Sequence, residues 1–334
     1  MSRQTVLKAA LLLCAVILLA GVLLGIKTVI GFAGYSYANA GKYTSGDAEI
    51  SKAVSNLDID WLDGTVIILY HNGHTVELSE RSDGSVSENL RMRWRLDGDT
   101  LRIRYSKPGR LPKRLPNKEL TVMLPEDIAL NDVAISAASA AVSIPAIHAD
   151  HLDLDVTSGN INAAAKVKTV SAETTSGHID LHITDSVKEV SAVTTSGSVT
   201  IDAGNADRFT AESTSGSIRV TLKNVGDFKA SSTSGDIFAE ILKAKQADFD
   251  STSGDMQLSI SKLGSLKMET TSGSVQAALP SIPGFTADLE TASGQINYKL
   301  PLTKQGGSYV CGDGSGEVEI HTTSGSITIS EVIR

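Results

Sequence analysis

A tripeptide recurs through the second half of this chain at nearly constant spacing, and it restricts the fold more than any other feature. Thr-Ser-Gly, or once Ala-Ser-Gly, ends at Gly159, Gly177, Gly197, Gly216, Gly235, Gly254, Gly273, Gly294 and Gly325. The first seven intervals are 18, 20, 19, 19, 19, 19 and 21 residues; the last is 31 and holds an insertion. A fixed period of this length marks a stacked repeat architecture.

Counting outward from each glycine exposes the physics. Two, four and six residues after Gly216 stand Ile218, Val220 and Leu222; after Gly235 stand Ile237, Ala239 and Ile241. Before the glycines, Phe228 and Ala230, then Ala247 and Phe249, keep the same alternation with polar neighbours. A period of two is a strand with one buried face. Each repeat reads as strand, Ser-Gly corner, strand, wider turn, which is one coil of a β-solenoid. A single coil buries too little apolar surface to offset the ordering of its backbone, so stability has to come from stacking. Nine coils at about 4.8 Å each make a rod segment of roughly 40 Å. The low aromatic content, 4% of 334 residues, suits a narrow aliphatic core.

The corner residues have structural roles in this reading. Glycine is expected to supply a positive φ at a tight corner. The Ser and Thr hydroxyls are expected to satisfy corner backbone groups or to ladder between coils. A serine repeated in every coil makes no sense as a nucleophile, because hydrolysis needs one nucleophile with one base.

The N-terminus carries a second signal. Residues 9–26 are eighteen uncharged residues, and residues 28–33 extend the run past Lys27. That length crosses a bilayer. Arg3 and Lys8 precede it, so the positive-inside rule keeps residues 1–8 in the cytoplasm and places the rest outside. The alternative is a cleaved signal peptide with Ala38-Asn39-Ala40 as its site, although that site lies far beyond the apolar run. The expected organisation is a cytoplasmic N-terminus (1–8), a single-pass anchor (9–34), a polar linker (35–55), irregular first coils (56–150) and the regular repeat solenoid (151–334). Within residues 56–150, Asp63-Gly64 and Asp97-Gly98-Asp99 each separate two apolar runs, as in strand-turn-strand units.

Residues 91–118 hold ten basic residues, opposed locally only by Asp97 and Asp99. Alternation places Arg91, Arg93, Arg95, Arg102 and Arg104 on one outer face. That face is a candidate contact for anionic headgroups or an anionic wall polymer, or else simply a solvated strand surface. The net charge of −8 argues against nucleic-acid binding. Residues 301–316 read as a flexible insertion. One more coil follows, ending near Ile329, and an uncovered terminal strand there is expected to self-associate or to bind a protein partner at the C-terminal tip.

No chemistry-bearing constellation stands out. His178, Asp180 and His182 share an outer strand face, but at about 7 Å between neighbours three of them hardly reach one metal. His71/His74 and His148/His151 lack the helical setting of a zinc protease pair. No cofactor, metal site or catalytic residue is expected. A solenoid lyase needs a residue cluster on a loop-walled groove, and an ice-binding solenoid needs a flat outward Thr array; neither pattern is present.

Several motifs together resemble a known family. These are the Leu57–Ile68 start, the Asp97-Gly98 unit running to Ile103, the Leu120-Thr-Val-Met-Leu-Pro125 strand and the repeated Thr-Ser-Gly. The chain is similar over roughly residues 50–334 to the bacterial β-strand-repeat family labelled "putative adhesin", a domain of unknown function. The resemblance implies a bacterial cell-envelope location and, for some members, a link to envelope-stress responses. It supplies no catalytic residues. The expectation is an all-β solenoid with an N-terminal transmembrane helix, acting as a non-enzymatic surface protein that binds or spaces, or alternatively as a stress sensor or modulator acting on a membrane regulator.

Overall fold

The computed structural model describes residues 34–332. The expected cytoplasmic segment and membrane anchor lie outside the described residues, apart from Gly34. Among the described residues no helix is long and apolar enough to cross a membrane. The described chain is all-β, interrupted by two short 3-10 turns, Ala40–Lys42 and Glu88–Leu90. Its described residues form two compact units, 34–181 and 182–332.

In the first unit the strands are β1 (Thr44–Ser45), β2 (Ala48–Ile50), β3 (Asn56–His71), β4 (Val76–Ser82), β5 (Arg93–Asp97), β6 (Thr100–Arg104), β7 (Lys118–Pro125), β8 (Leu130–Ser158) and β9 (Ile161–Ser176). β3 pairs in parallel with β6 and β7 along one edge and with β8 along the other. The first long strand in sequence is therefore sandwiched between later ones. β8 pairs in turn with β9, with a register shift between Ile144 and Ile147. Antiparallel pairs β4–β7 and β5–β6 complete the unit as hairpin-like additions. Inward residues Leu57, Ile59, Trp61, Leu101, Ile103 and Tyr105 are all buried, as the alternation requires.

Residues 35–55 read as a linker in the sequence, but they are part of this unit. β1 pairs with β5 and β2 with β4. Tyr35, Ile50 and Val54 are buried. Three buried apolar residues spaced through a polar stretch leave no periodic trace, which is why the sequence concealed them.

β10 (Ile179–Ile183) runs through the division between the units. The second unit contains β11 (Val187–Ser196), β12 (Val199–Ser213), β13 (Ile218–Ser232), β14 (Ile237–Ser253), β15 (Met256–Ser272), β16 (Val275–Leu279), β17 (Gly284–Ser293), β18 (Ile296–Tyr298), β19 (Thr303–Gln305), β20 (Ser308–Gly312), β21 (Gly316–Ser324) and β22 (Ile327–Glu331). Its ladders follow the repeat period, in a manner consistent with a β-solenoid: Val199 pairs with Ile218, Ile218 with Ile237, Ile237 with Met256, and Met256 with Val275. Stacking brings equivalent side chains together. The Phe209 and Phe228 rings lie 5.2 Å apart and nearly parallel, and Phe249 follows at 4.9 Å from Phe228.

The order of rungs then departs from sequence order. β21 lies between β15 and β17, and β22 lies between β16 and β18, all in parallel. The last coil in sequence is inserted beneath the coil that precedes it. The strand around Ile329, expected from the sequence to be an open edge, is thus covered on both sides, and β18 beyond it pairs with β22. The residues of the long interval are not a loose insertion either. β19 and β20 form an antiparallel hairpin, and β20 pairs with the start of β17, setting Cys311 opposite Phe285. Both side chains are buried.

Candidate interaction surface

The corner glycines come first because they are the most repeated residues. They do not serve a positive φ: of the nine, only Gly325 lies in that region, at 156°. The requirement is closeness of backbone to backbone. A Cβ on Gly159, Gly177, Gly216, Gly235, Gly254, Gly273, Gly294 or Gly325 would stand 2.5–2.7 Å from the carbonyl carbon of the adjoining corner, and nearer still to its oxygen. Within the first unit the corner column of Gly177 and Gly159 runs on through Ala140 and Gly64, whose own neighbour is Lys118.

The hydroxyl three residues before the corner does bond across rungs at several corners. Thr174 donates to the Gly159 carbonyl at 3.3 Å, Ser213 to Gly197 at 3.2 Å, Thr322 to Gly273 at 3.1 Å and Thr291 to Gly325 at 2.8 Å. The last two bonds follow the interleaved order, not the sequence order. At Ser232, Ser251 and Thr270 the hydroxyl is buried without a partner. On the other side of the corner, Asp236 accepts from the Asp255 N–H at 2.9 Å, and Asp255 from the Ser274 N–H at 2.8 Å. Asn224 donates to Asn205 at 2.6 Å. Part of the repeated polar set is therefore used within the stack, while the serine before each corner glycine is exposed.

Four of the five arginines come together on the β5–β6 hairpin, while Arg91 precedes β5 and Arg104 is buried instead of facing outward, and the charge of the four is largely spent within the molecule. Across the β5–β6 hairpin Arg93 stands opposite Arg104 and Arg95 opposite Arg102. Like charges placed opposite one another repel, and carboxylates from other strands answer them. Asp58 of β3, in register with Arg102, pairs with both Arg102 and Arg104. Arg95 meets Asp97, and Arg93 meets Glu88 at 3.0 Å. Arg104 is 8% exposed. Arg91 is exposed. The sequence showed Asp97 and Asp99 as local counter-charges; Asp58 lies more than forty residues from Arg102 and only strand pairing brings it near.

Lys118 was one basic residue among ten in the sequence, yet it is fully buried. Its ammonium donates to Glu80 Oε1, to the Leu90 carbonyl at 2.8 Å and to the Tyr105 carbonyl. It lies 3.8 Å from the centre of the Tyr105 ring and 4.8 Å from that of Trp61. Burial pulls its pKa down to about 8, against the opposing influence of Glu80.

The second unit carries an acidic patch. Register places Asp250, Glu269, His321 and Glu290 in one row, and Asp248, Lys267, Glu319 and Asp288 in the next. Ligand atoms of Glu269, Glu319 and His321 lie within 4.8 Å of one another. Lys267 sits 3.1 Å from Glu269, and His321 lies 3.6 Å from Asp288. Burial, then the neighbouring Asp248 and Glu269 carboxylates, push the Asp250 pKa up to about 6. His321 and Glu269 are fifty-two residues apart, so no local motif announces this row. The other histidines stay dispersed: His182 faces Asp202 at 3.3 Å, and His71 bonds the Thr75 carbonyl at 2.8 Å.

A family model for Toastrack DUF4097 matches residues 118–228 and again 164–330. Together these matches span well over half the chain. The chain belongs to the Toastrack DUF4097 family. The Toastrack match takes in every corner glycine and leaves the arginine hairpin and the Tyr35 region outside it. Among solved structures, a "putative adhesin" from Parabacteroides merdae is 12% identical with TM-score 0.40, covering 86% of this chain and 96% of its own. A "putative lipid binding protein" from Parabacteroides distasonis is 15% identical with TM-score 0.39, covering 86% and 97%. A "putative adhesin" from Bacteroides fragilis is 12% identical with TM-score 0.31, covering 87% and 97%. Among curated proteins none matches.

Proposed function

We propose that this Toastrack protein is a non-enzymatic, single-pass protein of the cell envelope. Residues 9–34 hold it in the membrane, and its β units stand outside the cytoplasm as a binding or spacing module. The in-register ladders support a solenoid winding of about nineteen residues per turn. Arg3 and Lys8 ahead of the apolar run support this orientation.

One observation carries the reading. The corner glycines and the Thr174, Ser213, Thr291 and Thr322 hydroxyls are taken up by contact between rungs. What is left to meet other molecules is the exposed serine at each corner and the outward strand surface, which varies from rung to rung, as suits a module that presents a surface. The test uses the full chain with a C-terminal tag in a bacterial host. Protease added to intact spheroplasts is expected to remove the tag, and capture on the tag is expected to retain an envelope component. A protected tag overturns the orientation. A chain deletion that alters a stress-promoter reporter and leaves surface binding unchanged favours the modulator alternative.

A further inference from the structure

Beyond the arginine hairpin, the chain makes a loop over residues 106–117 with the sequence SKPGRLPKRLPN. Lys107, Arg110, Lys113 and Arg114 are exposed. Unlike Arg93, Arg95, Arg102, Arg104 and Lys118, none of the four takes part in an ion pair among the described residues. Leu111, between Arg110 and Lys113, and Leu115, next after Arg114, are half-buried. The loop is anchored at its base: Ser106 is fully buried and its carbonyl accepts from the Tyr37 hydroxyl at 3.1 Å, and the Tyr105 hydroxyl donates to the Pro116 carbonyl.

The position of this loop follows from one bridge. Tyr35 and Gly109 exchange two backbone hydrogen bonds, Tyr35 N–H to Gly109 O at 3.0 Å and Gly109 N–H to Tyr35 O at 2.9 Å. Gly34 packs so tightly here that a Cβ would meet the Gly109 oxygen at 2.7 Å. Tyr35 is the first residue after the apolar segment. Tyr35 is buried, and Tyr37 and Tyr43 continue from it as half-buried rings with centres 5.5 and 4.8 Å apart. Arg110 adjoins the bridge, and Arg114 is five residues from Gly109, within about 18 Å even if fully extended.

We propose that residues 107–114 are a docking surface for the anionic headgroups of the bilayer that residues 9–34 cross. The inference rests on the reading of that segment as a membrane anchor. It moves the lipid contact from the strand arginines, which are paired internally, to a loop whose charges are not. A basic segment held beside a membrane-spanning run gains attraction to anionic lipid for each charge brought within a Debye length of the surface. Leu111 and Leu115 add apolar side chains at the same level.

The test uses the full chain carrying Pro112→Cys, reconstituted in vesicles of phosphatidylcholine alone or with about one third phosphatidylglycerol. Alkylation at residue 112 by a neutral polyethylene-glycol maleimide is read by mass spectrometry. We expect the rate to fall at least about tenfold in the anionic vesicles. High salt, or the combined change Lys107→Gln, Arg110→Gln, Lys113→Gln and Arg114→Gln, restores it. Equal rates in both vesicles, with the chain still floating with them after an alkaline wash, overturn the loop assignment and leave the anchor standing. A chain that does not float removes the anchor reading and this inference with it. Equal slowing in phosphatidylcholine vesicles by a soluble polyphosphate assigns the loop to an anionic polymer and overturns the lipid assignment.

Discussion

Gly235→Ala tests the account of the stack directly. The added Cβ would lie 2.6 Å from the Gly216 carbonyl carbon and 3.1 Å from its nitrogen. Both atoms belong to backbone held on each side by ladder bonds, so no side chain can swing away. Reaching ordinary contact near 3.4 Å means parting two rungs by about 1 Å out of a spacing of about 4.8 Å. The nearby bonds from Ser234 N–H to Thr214 O and from Ile218 N–H to Asp236 O, each 2.9 Å, would stretch beyond useful length. Two buried backbone bonds lost at about 1–2 kcal/mol each, with some packing around them, give about 3–5 kcal/mol. Gly204→Ala is the matched control, because its Cβ would meet nothing closer than the Asp185 oxygen at 3.7 Å. That change is expected to be neutral or to stabilise by up to about 1 kcal/mol through the unfolded chain. Hydrogen exchange read by mass spectrometry at the rungs around Gly216 and Gly235 measures the local effect without assuming that the whole chain unfolds in one step. Equal protection in the two variants would refute the close-approach reasoning and return the glycine to a conformational role.

Lys118 should give the first unit an unusual alkaline response. Its folded pKa of about 8 lies below the ordinary value, so between pH 8 and about 10.5 the unfolded chain binds more protons and stability rises with pH, by up to about 3 kcal/mol. Denaturant melts from pH 7 to 10 should show this rise, and Lys118→Met should abolish it; above pH 10 Tyr35, Tyr37 and Tyr105, whose pKa values burial raises, pull the other way. Glu80→Gln removes the carboxylate that Lys118 bonds and is expected to cost about 3–5 kcal/mol at neutral pH, again by denaturant melt. Asp250 has the opposite sign: its pKa is raised to about 6, so its favourable contribution is present below pH 4 and lost as pH rises through 6. Asp250→Asn should stabilise the second unit by about 1–2 kcal/mol at pH 7, allowing for partial solvent screening, and by almost nothing at pH 4.

The legible part of the fold was the part that repeats. The alternation around each Ser-Gly fixed which side chains point inward, because burial on one face of a strand leaves a period-two trace whatever the neighbours are; Ile218, Val220 and Leu222 are all buried. The spacing also gave the ladder partners, since Ile218 and Ile237 stand one period apart and do pair. What stayed hidden depends on contacts between residues distant in sequence. Nothing local tells that Thr322 bonds the corner of Gly273 or that Asp58 neutralises Arg102. The glycine was foreseen and its reason was not, because both a positive φ and a close carbonyl select the same residue. The burial of Lys118 stays hidden for a similar reason: composition assigns lysine to the surface, and only the arrangement of Trp61, Tyr105 and Glu80 makes an interior place for it.

The interleaving gives the last coil a different standing from the end of a simple stack. In a simple stack the final coil contacts one neighbour, so it frays at the cost of one interface. Here β21 and β22 form ladders on both edges, and removing them would strip a partner from β15–β16 and from β17–β18 at once. The chain can reach that slot only if the residues between Leu279 and Gly316 pass around it, and the β19–β20 hairpin against β17 is where that length is stored. Beyond Ala287, where the β20 pairing stops, the β17–β18 rung has a bare edge, and that stretch carries Asp288 and Glu290. Charge on an edge opposes the addition of another strand. A segment expected from the sequence to be an open, adhesive terminus is instead fixed in the interior of its unit, and the exposed edge has been given to a rung whose carboxylates oppose further pairing.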